Sequence, residues 1–270
     1  MPVTVRGGER VWEQRDRRQR LLAYLAWLVG LIVVAICFRF VSGQTFWYFV
    51  LDAPQQGADL VSRMFPPRWG YVQRLWEPLW DTINIATLGT LLALIVSVPV
   101  ALLAARNTTP HPVLRQLAML VMVFSRSVNA LIWALLIVSI IGPGVLAGIL
   151  AIALRSVGFC SKLLYEAIEE IDPKPLEALA STGGTGAQTV AYGIVPQVMP
   201  AFAGISVYRW DINVRESTIV GLVGAGGIGL QLDASINALL WSQVTVIFLL
   251  IIALVIVAEW VSARVRGAIR

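Results

Sequence analysis

Glu177-Ala178-Leu179-Ala180-Ser181-Thr182-Gly183, with Pro196 beyond it, is a polar, glycine-broken insert between long apolar segments. Asp172 is placed to cap a helix whose first turn tolerates Pro173, and Leu176, Leu179 and Ala180 recur at helical spacing. Gly183, Gly184 and Gly186 break that helix. A second short helix is expected from about Ala187 to Ile194, with Pro196 and Pro200 near the start of the next apolar run. The expected product is a helix-turn-helix knob flanked by membrane spans, a surface with which a membrane protein can grip a partner.

Around the insert the chain is built for lipid. Hydrophobic residues make up 57% of the 270 and charged residues 14%, where soluble domains carry about a quarter charged; the mean hydropathy is +0.75. A helix needs about 20 apolar residues to cross about 30 Å of hydrocarbon. Six segments qualify, near Leu21–Phe38, Trp80–Ala104, Val113–Ile141, Val145–Cys160, Pro196 to about Val214, and Leu239–Ala263. The third is overlong and the fifth is polar. The sequence therefore predicts an all-α, polytopic bundle of about six transmembrane helices. It reads as a basic tail (1–20), a first anchor (21–41), an outer loop (42–78), a core (79–263) containing the insert (about 161–195), and a short tail (264–270).

Orientation follows from basic residues, which collect in short cytoplasmic loops. Arg6, Arg10, Arg15, Arg17, Arg18 and Arg20 crowd the first tail. With an even number of spans, the Arg106/Arg115 loop, the Lys162/Lys174 loop and the Arg264/Arg266/Arg270 tail share its side, so both termini are expected in the cytoplasm. The net charge of +5 is then mostly a topology signal, and no nucleic-acid partner is expected. Glu9, Glu13 and Asp16 in the tail, and the lack of a small-residue cleavage site after Phe40, make the first span a retained anchor. In this topology Cys37 and Cys160 lie near opposite faces and do not pair.

The insert resembles the EAA loop of bacterial ABC importer permeases, with Glu177, Ala178, Gly183 and Pro196 at the family spacing; Leu179 stands where that family has alanine, and Gly193 and Val195 where it has isoleucine and leucine. Three further stretches, Ser161-Lys162-Leu163-Leu164, Tyr192 to Pro200 and Asn213 to Gly229, look like the phosphonate branch of those permeases. The resemblance covers most of the chain after about Phe65. It implies a type I ABC importer permease fold in the bacterial inner membrane, in which Glu177, Ala178, Gly183 and Pro196 form the ATPase-coupling loop. It further implies a homodimer, two separate ATP-binding subunits, and a periplasmic or lipid-anchored substrate-binding protein. No G-x-x-x-x-G-K-[ST] loop is present, so ATP and magnesium are expected on the partner ATPase and no cofactor on this chain. The substrate class implied is a phosphonate or a related phosphorus oxyanion such as phosphite.

Other residues leave two readings open. Gly224, Gly226, Gly227 and Gly229 satisfy G-x-G-x-x-G, but between two spans there is no strand–helix unit to make a dinucleotide site. They serve either close helix packing or a flexible outer re-entrant turn, or else a backbone amide cluster that approaches an anion; in the resembled family the region belongs to the outer translocation path. Arg126, in Phe124-Ser125-Arg126-Ser127-Val128-Asn129, either faces the pore or is paired, or bonded to carbonyls, at a helix break. Arg209, Asp211, Asn213, Arg215 and Glu216 pose the same choice, with opposite charges favouring structure. Arg126, Asn129, Arg215 and Ser217 are the residues assigned to an anion path. His111, between Pro110 and Pro112, reads as a solvated turn residue, and no catalytic or metal-ligating cluster is visible. An ATP-independent anion transporter or channel is the competing function; it calls for repeated halves or an acid relay that the sequence lacks.

Overall fold

The computed structural model describes residues 3–6, 9–12 and 17–269 and divides into two units, 1–61 and 62–270. Glu13, Arg15, Asp16 and Arg270, used above for charge and anchoring, lie outside the described residues.

The first unit opens with an antiparallel ribbon, β1 (Val3–Arg6) paired with β2 (Glu9–Trp12), a small addition to the all-α expectation. Helix α1 (Arg17–Gln44) is apolar and none of its described side chains is buried, as suits a span surrounded by lipid or a partner. The segment expected as an outer loop is itself helical, forming α2 (Trp47–Met64). The Trp47 indole donates to the carbonyl and hydroxyl of Ser42, closing the turn between α1 and α2.

In the second unit a 3₁₀ turn (Trp69–Tyr71) leads into α3 (Val72–Ala104), which begins eight residues before the expected span. After it come α4 (Pro112–Ser127), α5 (Ala130–Ile141), α6 (Val145–Glu169), α7 (Lys174–Ser181), α8 (Gly186–Gln188), a π turn (Thr189–Ile194) and α9 (Val195–Val220). A second π turn (Gly221–Ala225), α10 (Gly227–Asn237) and α11 (Trp241–Ile269) complete it. The helices run past the expected ends at Cys160 and Val214, because charged residues that lower the local hydropathy, Lys162 and Glu166 in α6 and Arg215 and Glu216 in α9, are carried within the helix as ion-paired side chains.

The overlong third span is the main correction. Val113–Ile141 is two helices, α4 and α5, bent by 91°. Val128 and Asn129 are extended, and the Asn129 amide oxygen accepts from Leu131 N–H to start α5 afresh. The pair still bridges the core. Arg115 of α4 donates to the Ala104 carbonyl at one end of α3, whereas Gly144, just past α5, donates to the Gly224 carbonyl, beside a turn that meets Thr82. Thr82 and Ala104 are about 33 Å apart along α3 at 1.5 Å per residue. Counting the bent pair as one broken crossing gives six candidate spans rather than five among the described residues. His111 does more than sit in a turn: its Nδ1 accepts from Val113 N–H and caps α4.

The core centres on α3 and α6. Ala86, Gly89, Ala93, Ser97, Ala101 and Ala104 place a small-residue stripe along α3. A Cβ on Gly89 would stand 2.9 Å from Ile152 Cγ2, and one on Gly158 would stand 2.5 Å from the Met122 carbonyl, so both helices use glycine to bring backbones together. Cys160 is buried and Cys37 exposed; both are free thiols.

Candidate functional site

The knob is assembled from local bonds. Asp172 Oδ1 accepts from Lys174 N–H, supplying the expected cap from two residues before the first residue of the helix. At the other end of α7, Gly184 N–H donates to the Leu179 carbonyl and Gly183 N–H to Ala180, the paired bonds of a Schellman stop, with Gly183 at φ +78°. Thr185 and Gln188 then form a reciprocal capping box that begins α8. Leu176 and Leu179 lie over Gly193, where a Cβ would approach Leu179 Cδ1 to 3.2 Å. Gln197 ties the knob to α9 by accepting from Asp172 N–H while donating to the Gly193 carbonyl. Glu177 and Ala178 are exposed on the outer side of α7, and Pro196 sits in the first turn of α9.

At the opposite end of the core, α9 unwinds through Val223 and Gly224 and the chain turns back into α10, with Gly224, Gly226 and Gly227 at φ +90°, +83° and +73°. At Gly221, Gly227 and Gly229 a side chain has no room. A Cβ on Gly227 would meet Thr82 Oγ1 at 2.6 Å, one on Gly221 would meet the Gly226 carbonyl at 2.6 Å, and one on Gly229 would be driven into the Thr218 carbonyl. Ile228 N–H is taken by Thr82 Oγ1 at 2.8 Å. Gly226, Gly227 and Gly229 are buried, which favours the close-packing reading of this run over an amide cluster open to an anion.

Between these ends a polar chain crosses three helices. Thr90 donates to the Ala86 carbonyl and accepts from Asn213 at 2.7 Å; Asn213 Oδ1 accepts from Ser156, whose oxygen in turn accepts from Arg209 Nε at 2.9 Å. Arg209 Nη2 reaches Glu216 Oε2 at 3.1 Å, and the other Glu216 oxygen pairs with Arg155. The Arg209 guanidinium also lies 5.2 Å from the centre of the Phe159 ring. Its side chain is 3% exposed, Glu216 17% and Arg155 30%, so the polar chain grades from dry interior to an accessible edge.

The residues assigned to an anion path do not converge. Arg126 is exposed and makes no side-chain bond among the described residues; Asn129 caps α5; Arg215 pairs with Asp211; Ser217 is buried and donates to the Val214 carbonyl of its own helix. Arg155 was missed, although an arginine inside an apolar run carries the same insertion cost that singled out Arg126. It lines a pocket of about 150 Å³ with Asn129, Leu131, Glu216, Ile219 and Val220 at the α4–α5 break.

This arrangement has known counterparts. Residues 97–270 match the family of binding-protein-dependent transport system inner membrane components. The chain belongs to that family. The permease is 37% identical, over 94% of its length and 94% of the other's, to the phosphite transport system permease protein PtxC of Stutzerimonas stutzeri. It is 41% identical over 81% of its length to the phosphate-import permease protein PhnE of Mycolicibacterium smegmatis, of which it covers 42%. Among solved structures, the methionine ABC transporter MetNI superposes with a TM-score of 0.63 at 20% identity, covering 75% of the permease and 99% of that chain. A bacterial alginate ABC importer superposes at 0.57 and 17% identity, over 91% and 99%. The fold is therefore that of ABC importer permeases, and the permease is a multi-pass inner-membrane protein.

Proposed function

We propose that the permease is the membrane-spanning subunit of an ATP-driven importer of a phosphorus oxyanion, phosphite or a phosphonate. It works as a homodimer with two ATPase subunits that hold ATP and magnesium, and with a periplasmic or lipid-anchored binding protein. Both termini and the knob face the cytoplasm. The observation that carries the reading is 37% identity over 94% of both chains to a phosphite permease, joined to an exposed, capped knob with Glu177 exposed on its outer face. ATP binding closes the ATPase pair, the two knobs are drawn together, and the path opens toward the loaded binding protein. Gly183 and Glu177 serve coupling; the glycine turn from Gly224 to Gly229 shapes the outer end of the path.

Reconstitution with the ATPase and binding protein tests this. ATP hydrolysis should rise when the binding protein carries phosphite or methylphosphonate and stay basal when it is empty. Equal rates with loaded and empty binding protein, in an assembled complex, would refute the importer reading.

A further inference from the structure

The polar chain contains a charge imbalance. Two guanidinium groups, Arg155 and Arg209, are met by one carboxylate, Glu216, and Arg209 is 3% exposed. The other carboxylate on this part of α9, Asp211, pairs with Arg215. A surplus positive charge in a poorly hydrated core is unfavourable unless water or an anion meets it. The surplus has an outlet: Arg155 is 30% exposed and borders the 150 Å³ pocket, far larger than the roughly 10–15 Å³ one water needs. The pocket also takes in Asn129, Ala130 and Leu131, the first turn of α5, the end of a helix that carries partial positive charge. The 91° bend between α4 and α5 falls at this pocket, so the start of α5 and Arg155 line it together.

We infer that this pocket is a transient binding site for a tetrahedral oxyanion, which takes Glu216's place as partner of Arg155. Resting on the importer reading above, the inference names the residues that meet the substrate within the path. Glu216 acts as an internal competitor. It holds Arg155 when the pocket is empty, stays charge-compensated by Arg209 when the anion displaces it, and on rebinding Arg155 helps release the anion. The exchange keeps each guanidinium hydrogen-bonded to an oxyanion, so entry and exit require no bare buried charge.

Two substitutions separate this role from a structural one. In proteoliposomes carrying the complete importer, Arg155→Gln should lower methylphosphonate uptake about 10- to 100-fold while ATP hydrolysis still responds to loaded binding protein. Glu216→Gln removes the competitor. Methylphosphonate binding to the detergent-purified complex without binding protein, read by phosphorus NMR line broadening, should tighten about tenfold, with lower KM and lower maximal uptake. Normal uptake by an assembled Arg155→Gln importer overturns the site, as does unchanged methylphosphonate binding in Glu216→Gln. If Arg155→Gln fails to assemble, Arg155→Lys keeps the charge; wild-type KM in that variant also overturns it. If the wild-type importer moves no phosphorus oxyanion but its pocket broadens the phosphate signal in an Arg155-dependent way, the site stands and the substrate reading falls.

Discussion

Glycine does opposite jobs at the two ends of this permease. In the knob, Gly183 is exposed, has nothing within 4 Å of where a Cβ would stand, and is needed only for its left-handed backbone at φ +78°. In the α9–α10 turn, Gly221 and Gly229 have ordinary helical backbones and are needed because a methyl group would overlap a neighbouring main chain. One end buys conformation, the other close approach. The first kind of glycine can be replaced at a modest cost in local geometry, the second only by moving a helix.

The sharpest way to break the contrast is Gly229→Val. Overpacking typically costs about 1–3 kcal/mol where side chains can adjust, and here the obstacle is the Thr218 carbonyl, so the variant should fail to yield a monodisperse permease on size exclusion. A folded Gly229→Val would show that the turn is looser than its packing. Next, Glu177→Lys should abolish co-purification of the ATPase while leaving the permease as heat-stable as wild type, because the Glu177 side chain is exposed and makes no ion pair among the described residues. Gly183→Ala should cost about 1 kcal/mol, the ordinary penalty of a Cβ in the left-handed region, seen as weaker ATPase coupling with unchanged melting of the core. Gly183→Asn should recover much of that, since asparagine tolerates this backbone. Smallest of all, Gly186→Ala, with open space around it and an ordinary helical start, should change stability by less than about 0.5 kcal/mol. A large effect there would mean that the knob's outer surface, and not its stop signal, is what a partner reads.

The knob was legible because its instructions are local. Asp172 bonds two residues on, Gly183 and Gly184 close α7 on its own carbonyls, and Pro196 sits where a helix begins. Two of the three departures from the resembled loops even explain each other: a larger residue at Leu179 lies against the side-chain-free Gly193. The α4–α5 bend was not legible as a span boundary, because average hydropathy runs through Val128 and Asn129 without a dip long enough to register. Asn129 was visible as a polar neighbour of Arg126, but its capping role emerges only once the bend exists. Least legible was the Arg155–Glu216–Arg209 trio. Its members come from two helices separated by the whole knob, and no spacing rule reports which arginine in an apolar run will find a carboxylate.

That trio belongs to a continuous run of polar bonds from Ala86 through Thr90, Asn213, Ser156 and Arg209 to Glu216 and Arg155. It has a mechanical consequence. Sliding α3, α6 or α9 past one another by even a couple of ångströms would break several of these bonds at once in a place with little water to replace them. Shear between those helices is thereby disfavoured, and the three are expected to tilt as a block. The freedom needed for alternating access would then fall to hinges at their margins, at the α4–α5 bend and at the unwound residues Val223 and Gly224.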